Sequence, residues 1–278
     1  MRLSFLAAAL LALPLIASAK MISSFDLMDE VGTNDKLVVI AFTEMEEIIP
    51  GSRIVDYGNV RQDSDVPDAA LFQRLIQSLG INNDSKVVIT QEGTDAADFH
   101  KAARLFWTFK YYGFDNAYVL EGGMQDWADM GGDVTEAPRR AARVRPGNFE
   151  AQDPDTSIYA STADVKAALE AGETVIDIRT LDQYLGLSRD GHIPGSKVAP
   201  FELYYSMGTV YHNRDVLKQL FEDLKIDLSN GAIVYCNSGN IASSGWYAIS
   251  EYLGIDNVRL YDESLGGWDG DLQTRLGN

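Results

Sequence analysis

The chain carries one stretch of sequence twice, and this duplication limits its architecture more than any other feature. Ile49-Pro50-Gly51-Ser52-Arg53 recurs as Ile193-Pro194-Gly195-Ser196-Lys197, and Gly113-Phe114-Asp115-Asn116-Ala117-Tyr118-Val119-Leu120 recurs as Gly254-Ile255-Asp256-Asn257-Val258-Arg259-Leu260-Tyr261. Trp127, which follows the first copy, has its counterpart in Trp268. Order and spacing are nearly kept, so one unit has been duplicated, and the length suits two domains. Between the copies, Glu136 to Asp155 holds three Pro, four Arg and little apolar periodicity, which marks a linker. The expected organisation is a leader over residues 1–19, a first domain over 20–138, a linker over 139–158 and a second domain over 159–278.

Within each copy, strand and helix patterns alternate. Lys36 to Phe42 and Lys86 to Thr90 are short β-branched runs, while Asp68 to Leu79 and Asp98 to Tyr112 place apolar residues at helical spacing. In the second copy, Thr174 to Ile178 and Ala232 to Tyr235 read as strands buried on both faces. Thr162 to Ala171, Asn213 to Leu224 and Ile241 to Leu253 read as helices, the first opened by a hydroxyl of Ser161 or Thr162 with Asp164 nearby. Such alternation predicts an α/β fold: two domains, each a mostly parallel sheet covered by helices on both faces.

In sheets of this kind, the functional crevice lies at the carboxyl ends of the strands. Cys236, the single cysteine of the chain, sits directly after the run Ala232 to Tyr235 and opens the loop Asn237-Ser238-Gly239-Asn240-Ile241-Ala242. There the sulfur faces successive backbone N–H groups at a helix start, which favours the thiolate over the inert thiol. One cysteine closes no intramolecular disulfide. Three scattered histidines and one cysteine do not make a metal site, and no cofactor motif is present.

Met1 to Ala19 has one positive charge at Arg2, an apolar stretch from Phe5 to Ile16, and the small-residue triplet Ala17-Ser18-Ala19. It reads as a cleavable secretory signal, too short to span a bilayer, and predicts a periplasmic or secreted protein that is not membrane-bound after cleavage. Removing it takes away Arg2 and no acidic residue, so the net charge moves from −18 to −19. That surface repels nucleic acid and anionic lipid, and any small anion must be met by local donors.

The motifs of the second copy come in a telling order: Val175-Ile176-Asp177-Ile178-Arg179, Tyr184-Leu185-Gly186, Gly191-His192-Ile193-Pro194-Gly195-Ser196, Tyr235-Cys236-Asn237-Ser238-Gly239 and Trp268. This order resembles the catalytic domain of rhodanese-family sulfurtransferases. The first copy resembles the inactive partner domain of tandem members: Val87-Val88-Ile89-Thr90-Gln91 occupies the strand and loop of the cysteine, followed by Ala103-Arg104-Leu105-Phe106-Trp107 and Leu120-Glu121-Gly122-Gly123. The resemblance implies sulfur transfer from 3-mercaptopyruvate or thiosulfate to cyanide, a thiol or a thioredoxin-like protein. It also assigns His192 to loop scaffolding.

The chemistry follows from the loop itself. A thiolate attacks the terminal sulfur of a donor, becomes a persulfide, and is regenerated when a nucleophilic acceptor takes that sulfur. Asn237, Ser238, Gly239, Asn240, Ile241 and Ala242 are expected to offer N–H donors to the anionic sulfur, with the Ser238 hydroxyl as a further donor or as a loop cap. Arg179 and Arg189 are the candidates for binding an anionic donor, although an arginine ending a buried strand also suits a structural ion pair. Asn237, Asn240 and Gln183 stand where relatives carry basic groups, so donor choice is expected to lean toward monoanionic mercaptopyruvate over the thiosulfate dianion.

Two other classes share parts of this pattern. A cysteine phosphatase needs an arginine six positions after the cysteine to grip phosphate, and that position is Ala242. A non-catalytic carrier, holding sulfane sulfur on Cys236 for a partner, differs from an enzyme in lacking turnover with free donor and acceptor.

Overall fold

The computed structural model describes residues 20–61, 65–138, 140 and 142–274. The candidate leader, residues 1–19, lies outside them. The first domain builds a five-stranded parallel sheet from β1 (Met21–Ile22), β2 (Leu37–Phe42), β4 (Arg53–Val55), β5 (Lys86–Ile89) and β6 (Ala117–Leu120), in the order β1-β6-β5-β2-β4. A short antiparallel pair, β3 (Glu47–Ile48) with β7 (Thr135–Glu136), lies beside it. Its helices are α1 (Ser24–Glu30), α2 (Ala69–Ser78), α3 (Phe99–Tyr111) and α4 (Gly123–Asp129).

The second domain repeats this topology. Its sheet holds β8 (Tyr159–Ala160), β9 (Val175–Asp177), β10 (Lys197–Val198), β13 (Ala232–Tyr235) and β14 (Val258–Tyr261), all parallel, in the order β10-β9-β13-β14-β8. Read from the other edge, this is the order of the first sheet, so the duplication seen in the motifs extends to the strand connections. Helices α5 (Thr162–Ala171), α6 (Leu181–Tyr184), α7 (Arg214–Asp223), α8 (Asn240–Trp246) and α9 (Ser264–Gly267) complete the domain, with a hairpin of β11 (Tyr205–Met207) and β12 (Val210–Tyr211).

Local chemistry accounts for the element ends. The Ser161 hydroxyl accepts the Asp164 N–H, the Asp164 carboxylate accepts the Ser161 N–H, and Gly172 closes α5 in the left-handed region. Such a reciprocal cap is worth about 1 kcal/mol. The expected long helix over 241–253 instead passes from α8 into a π-helical turn over Tyr247–Tyr252. Tyr247, Ala248 and Ile249 in that turn are all fully buried.

The two domains share one continuous buried core. Helices α3 and α8 meet across the interface, where Phe106 lies 4.9 Å and Phe99 5.2 Å from Tyr247, edge to face. The expected linker is not a free tether: Phe149 inserts among Phe72, Phe109 and Phe114 and is buried, and the Gly147 N–H donates to the Gln77 carbonyl. One large aromatic residue among scattered small apolar ones carries no periodicity, which is why the sequence reads there as linker.

Candidate active site

Strand β13 is buried on both faces, and its carboxyl end delivers Cys236 into the domain interface with the side chain buried. The strand is anchored from its neighbours. The Tyr235 hydroxyl accepts the Ile193 N–H at 3.1 Å and pairs with the Ser196 hydroxyl at 2.8 Å. His192 stacks on Tyr184 at 3.6 Å, donates from Nδ1 to the Tyr184 carbonyl, and exchanges backbone hydrogen bonds with Gln273. These contacts suit the scaffolding role expected of it.

The loop turns at Gly239, where φ is +76° and a Cβ would stand 2.3 Å from the Asp262 carbonyl oxygen. Only glycine fits both the conformation and the approach. Among the described residues, the N–H groups of Asn237, Ser238, Asn240, Ile241 and Ala242 have no acceptor and remain as donors. Gly239 does not, contrary to expectation: its N–H and that of Cys236 both donate to Ser264 Oγ at 3.0 Å. The same hydroxyl donates to the Tyr261 carbonyl at 2.8 Å and lies 3.9 Å from Cys236 Sγ. Ser264 adopts the left-handed conformation, φ +51°, to do this. Sequence reasoning looked for a hydroxyl at Ser238, but it is the carbonyl of Ser238 that is engaged, and the hydroxyl that organises the loop is Ser264's. The signal available was its position after β14, where the first copy carries Gly122-Gly123.

Of the two roles open to Arg179, anion binding and a structural ion pair, the structure shows the ion pair. Arg179 is fully buried, its Nε and Nη2 donate to Asp177 at 2.6–3.1 Å, Nη2 also donates to the Gly191 carbonyl, and Nη1 donates to Asn237 Oδ1 at 3.0 Å. Burial alone would lower its pKa, but the hydrogen bonds and charge of Asp177 outweigh it and raise the value. Arg179 therefore holds the loop through Asn237, because a charge that deep is tolerated only when paired. Arg189 lies exposed and, among the described residues, makes no hydrogen bond or ion pair.

Two further cations beside the loop come from the first domain, and the sequence did not assign them. Arg61 donates from Nη2 to the Ser238 carbonyl at 2.6 Å and from Nη1 to Asn240 Oδ1, which also accepts the Tyr57 hydroxyl at 2.6 Å. Arg104, on α3, is fully buried and grips Asp262 with both terminal nitrogens, while Asp262 also accepts the Val66 N–H. Burial holds the Tyr57 hydroxyl up at about 12, and burial together with the neighbouring Arg104 lowers Arg61. The second domain reciprocates. Its hairpin brings Thr209 onto Gln91, the counterpart of Cys236, with Gln91 Nε2 donating to Thr209 Oγ1 at 2.9 Å.

A family model for the rhodanese-like domain matches residues 33–130 and 161–271. A protein named putative thiosulfate sulfurtransferase from Saccharopolyspora erythraea is 31% identical over 236 residues, covering 79% of this chain and 80% of the relative. The sulfur carrier protein TtuD from Thermus thermophilus is 30% identical over 240 residues, 79% of this chain and 81% of TtuD. Among solved structures, Escherichia coli SseA, described as a 3-mercaptopyruvate sulfotransferase, superposes with a TM-score of 0.78 at 22% identity, covering 89% of this chain and 99% of SseA.

Proposed function

Since the chain belongs to the rhodanese family of sulfurtransferases, as a tandem member with two such domains, we propose that it moves sulfane sulfur through a persulfide on Cys236, from thiosulfate or 3-mercaptopyruvate to a thiol or cyanide. The observation that carries this reading is the surroundings of Cys236: a single cysteine at a strand end, in a loop whose free N–H groups suit a sulfur anion. The thiolate attacks the sulfane sulfur and a new S–S bond forms. With thiosulfate the old S–S bond breaks and sulfite leaves with the electron pair. With mercaptopyruvate the C–S bond breaks and the pyruvate carbon takes the pair and then a proton. An acceptor thiolate or cyanide attacks the outer sulfur and restores Cys236.

Intact mass before and after incubation with each donor tests this reading. One added sulfur atom is expected on the wild type and none on Cys236→Ser, which should also lose turnover while remaining folded. Retained turnover above about 5% of wild type in that variant would defeat it, because a serine oxygen cannot accept and release sulfane sulfur. The name of TtuD supports a second reading, a carrier that loads sulfur and delivers it to a dedicated partner. Persulfide formation without multiple turnover on free acceptors, a thioredoxin-like protein included, would favour it. We further propose a periplasmic or secreted setting on the strength of residues 1–19; a mature chain beginning at Lys20 is the expected mass.

A further inference from the structure

The loop that holds Cys236 has no basic side chain, since Asn237 and Asn240 are neutral and the protein as a whole is strongly acidic. Nevertheless cations of the first domain stand beside it. Two guanidinium groups, Arg61 and Arg104, stand next to one carboxylate, Asp262, which Arg104 already holds with both terminal nitrogens. Among the described residues, Arg61 forms no ion pair, and its Nε is buried without a partner. Its two terminal nitrogens reach the loop from opposite ends of the turn, the Ser238 carbonyl and the Asn240 side chain. Arg61, Arg104 and Asp262 together carry a net positive charge, and Cys236 is near enough to act electrostatically on both Tyr57 and Arg61.

We propose that Arg61 is the specificity-determining cation of this site: a guanidinium supplied by the first domain that stabilises sulfur anions on Cys236 and selects anionic donors, in place of the basic side chains the loop lacks. The effect of Cys236 on the charged form of Arg61, which it favours, accords with this pairing. Arg61 follows the 3₁₀ turn Tyr57–Val60, whose start is capped by Asp56 accepting the Gly58 N–H. Its position is therefore set by the first domain and not by the loop it serves. The expectation that few cations meet the donor, and hence that a dianion is disfavoured, took no account of Arg61, and this proposal reverses it. Arg61 makes thiosulfate the donor that gains most from the site.

The proposal rests on the sulfurtransferase reading, but it can be tested apart from it by alkylating Cys236 with iodoacetate, an anion, and iodoacetamide, its neutral analogue, in the wild type, Arg61→Gln and Arg61→Lys. Arg61→Gln should lower the iodoacetate-to-iodoacetamide rate ratio at least about fivefold, the scale of one unit charge about 4 Å away even at the dielectric constant of water. Arg61→Lys should keep most of the ratio. The kcat/KM for thiosulfate should fall more in Arg61→Gln than that for mercaptopyruvate. A ratio in Arg61→Gln within about twofold of wild type, or a lysine variant as impaired as the glutamine one, would overturn the proposal, the latter because it assigns the effect to loop shape and not to charge. A wild type that turns over neither donor, but shows the expected ratios, would refute the sulfurtransferase reading and leave the cation in place.

Discussion

Arg104→Met tests how firmly the first domain is fastened to the Cys236 loop. Arg104 and Asp262 are both essentially inaccessible, and Arg104 is the only cation among the described residues that Asp262 pairs with. Removing the guanidinium leaves a buried carboxylate with one remaining donor, the Val66 N–H at 2.8 Å. Breaking a buried pair in this way costs about 3–5 kcal/mol, out of a total stability on the order of 5–15 kcal/mol. For a chain of this size, the same loss lowers Tm by roughly 6–20 °C. The assay is urea unfolding followed by fluorescence, with Trp107 and Trp127 reporting the first domain and Trp246 and Trp268 the second. The midpoints should fall together, because the pair bridges the domains. The double variant Arg104→Met with Asp262→Asn removes both charges and should recover most of the loss, since an uncharged pair of similar volume leaves no bare ion. A single variant within about 1 kcal/mol of wild type, or a double variant as unstable as the sum of the two singles, would refute the argument.

Other consequences follow from the same loop. Ser264→Ala leaves the Cys236 and Gly239 N–H groups without their acceptor and should cost about 2–6 kcal/mol, at about 1–3 per orphaned group, with slower persulfide formation by intact mass. Gly239→Ala places a methyl 2.3 Å from the Asp262 backbone oxygen and in a left-handed conformation that alone costs about 1–2 kcal/mol, so persulfide loading should drop well beyond the loss in Tm. Burial raises Tyr57, Tyr112 and Tyr159 from 10.0 to about 12. Their folded-state values lie above the unfolded one, so their contribution is complete below pH 10 and is lost as pH rises toward 12; urea midpoints should decline across that window as phenolate absorbance grows.

Much of this protein was legible along the chain. Ala232–Tyr235 and Thr162–Ala171 fall where their patterns place them, because a strand buried on both faces and a capped amphipathic helix are written in consecutive residues. The repeat likewise announced two domains, and the strand order common to both sheets is its structural expression. Cys236 was legible because a strand end followed by a glycine loop is a local signal. Phe149 was not, since its partners Phe72, Phe109 and Phe114 are recruited from far upstream.

What tertiary structure alone decided is the charge and shape around the sulfur. The sequence shows a net charge of −18 and a neutral loop, while the fold places Arg61 on Ser238, 177 residues away, and Arg104 on Asp262, 158 residues away. Arg179, which the sequence offered for anion binding, is committed to Asp177 and Asn237, and Ser264 is drawn in from beyond β14. Periodicity and turn chemistry act over a few residues and so determine which elements form and which residue ends each one. Which guanidinium is left with a charge to spare depends on how two sheets face each other, and that is settled by packing of α3 against α8, for which no short segment carries the information.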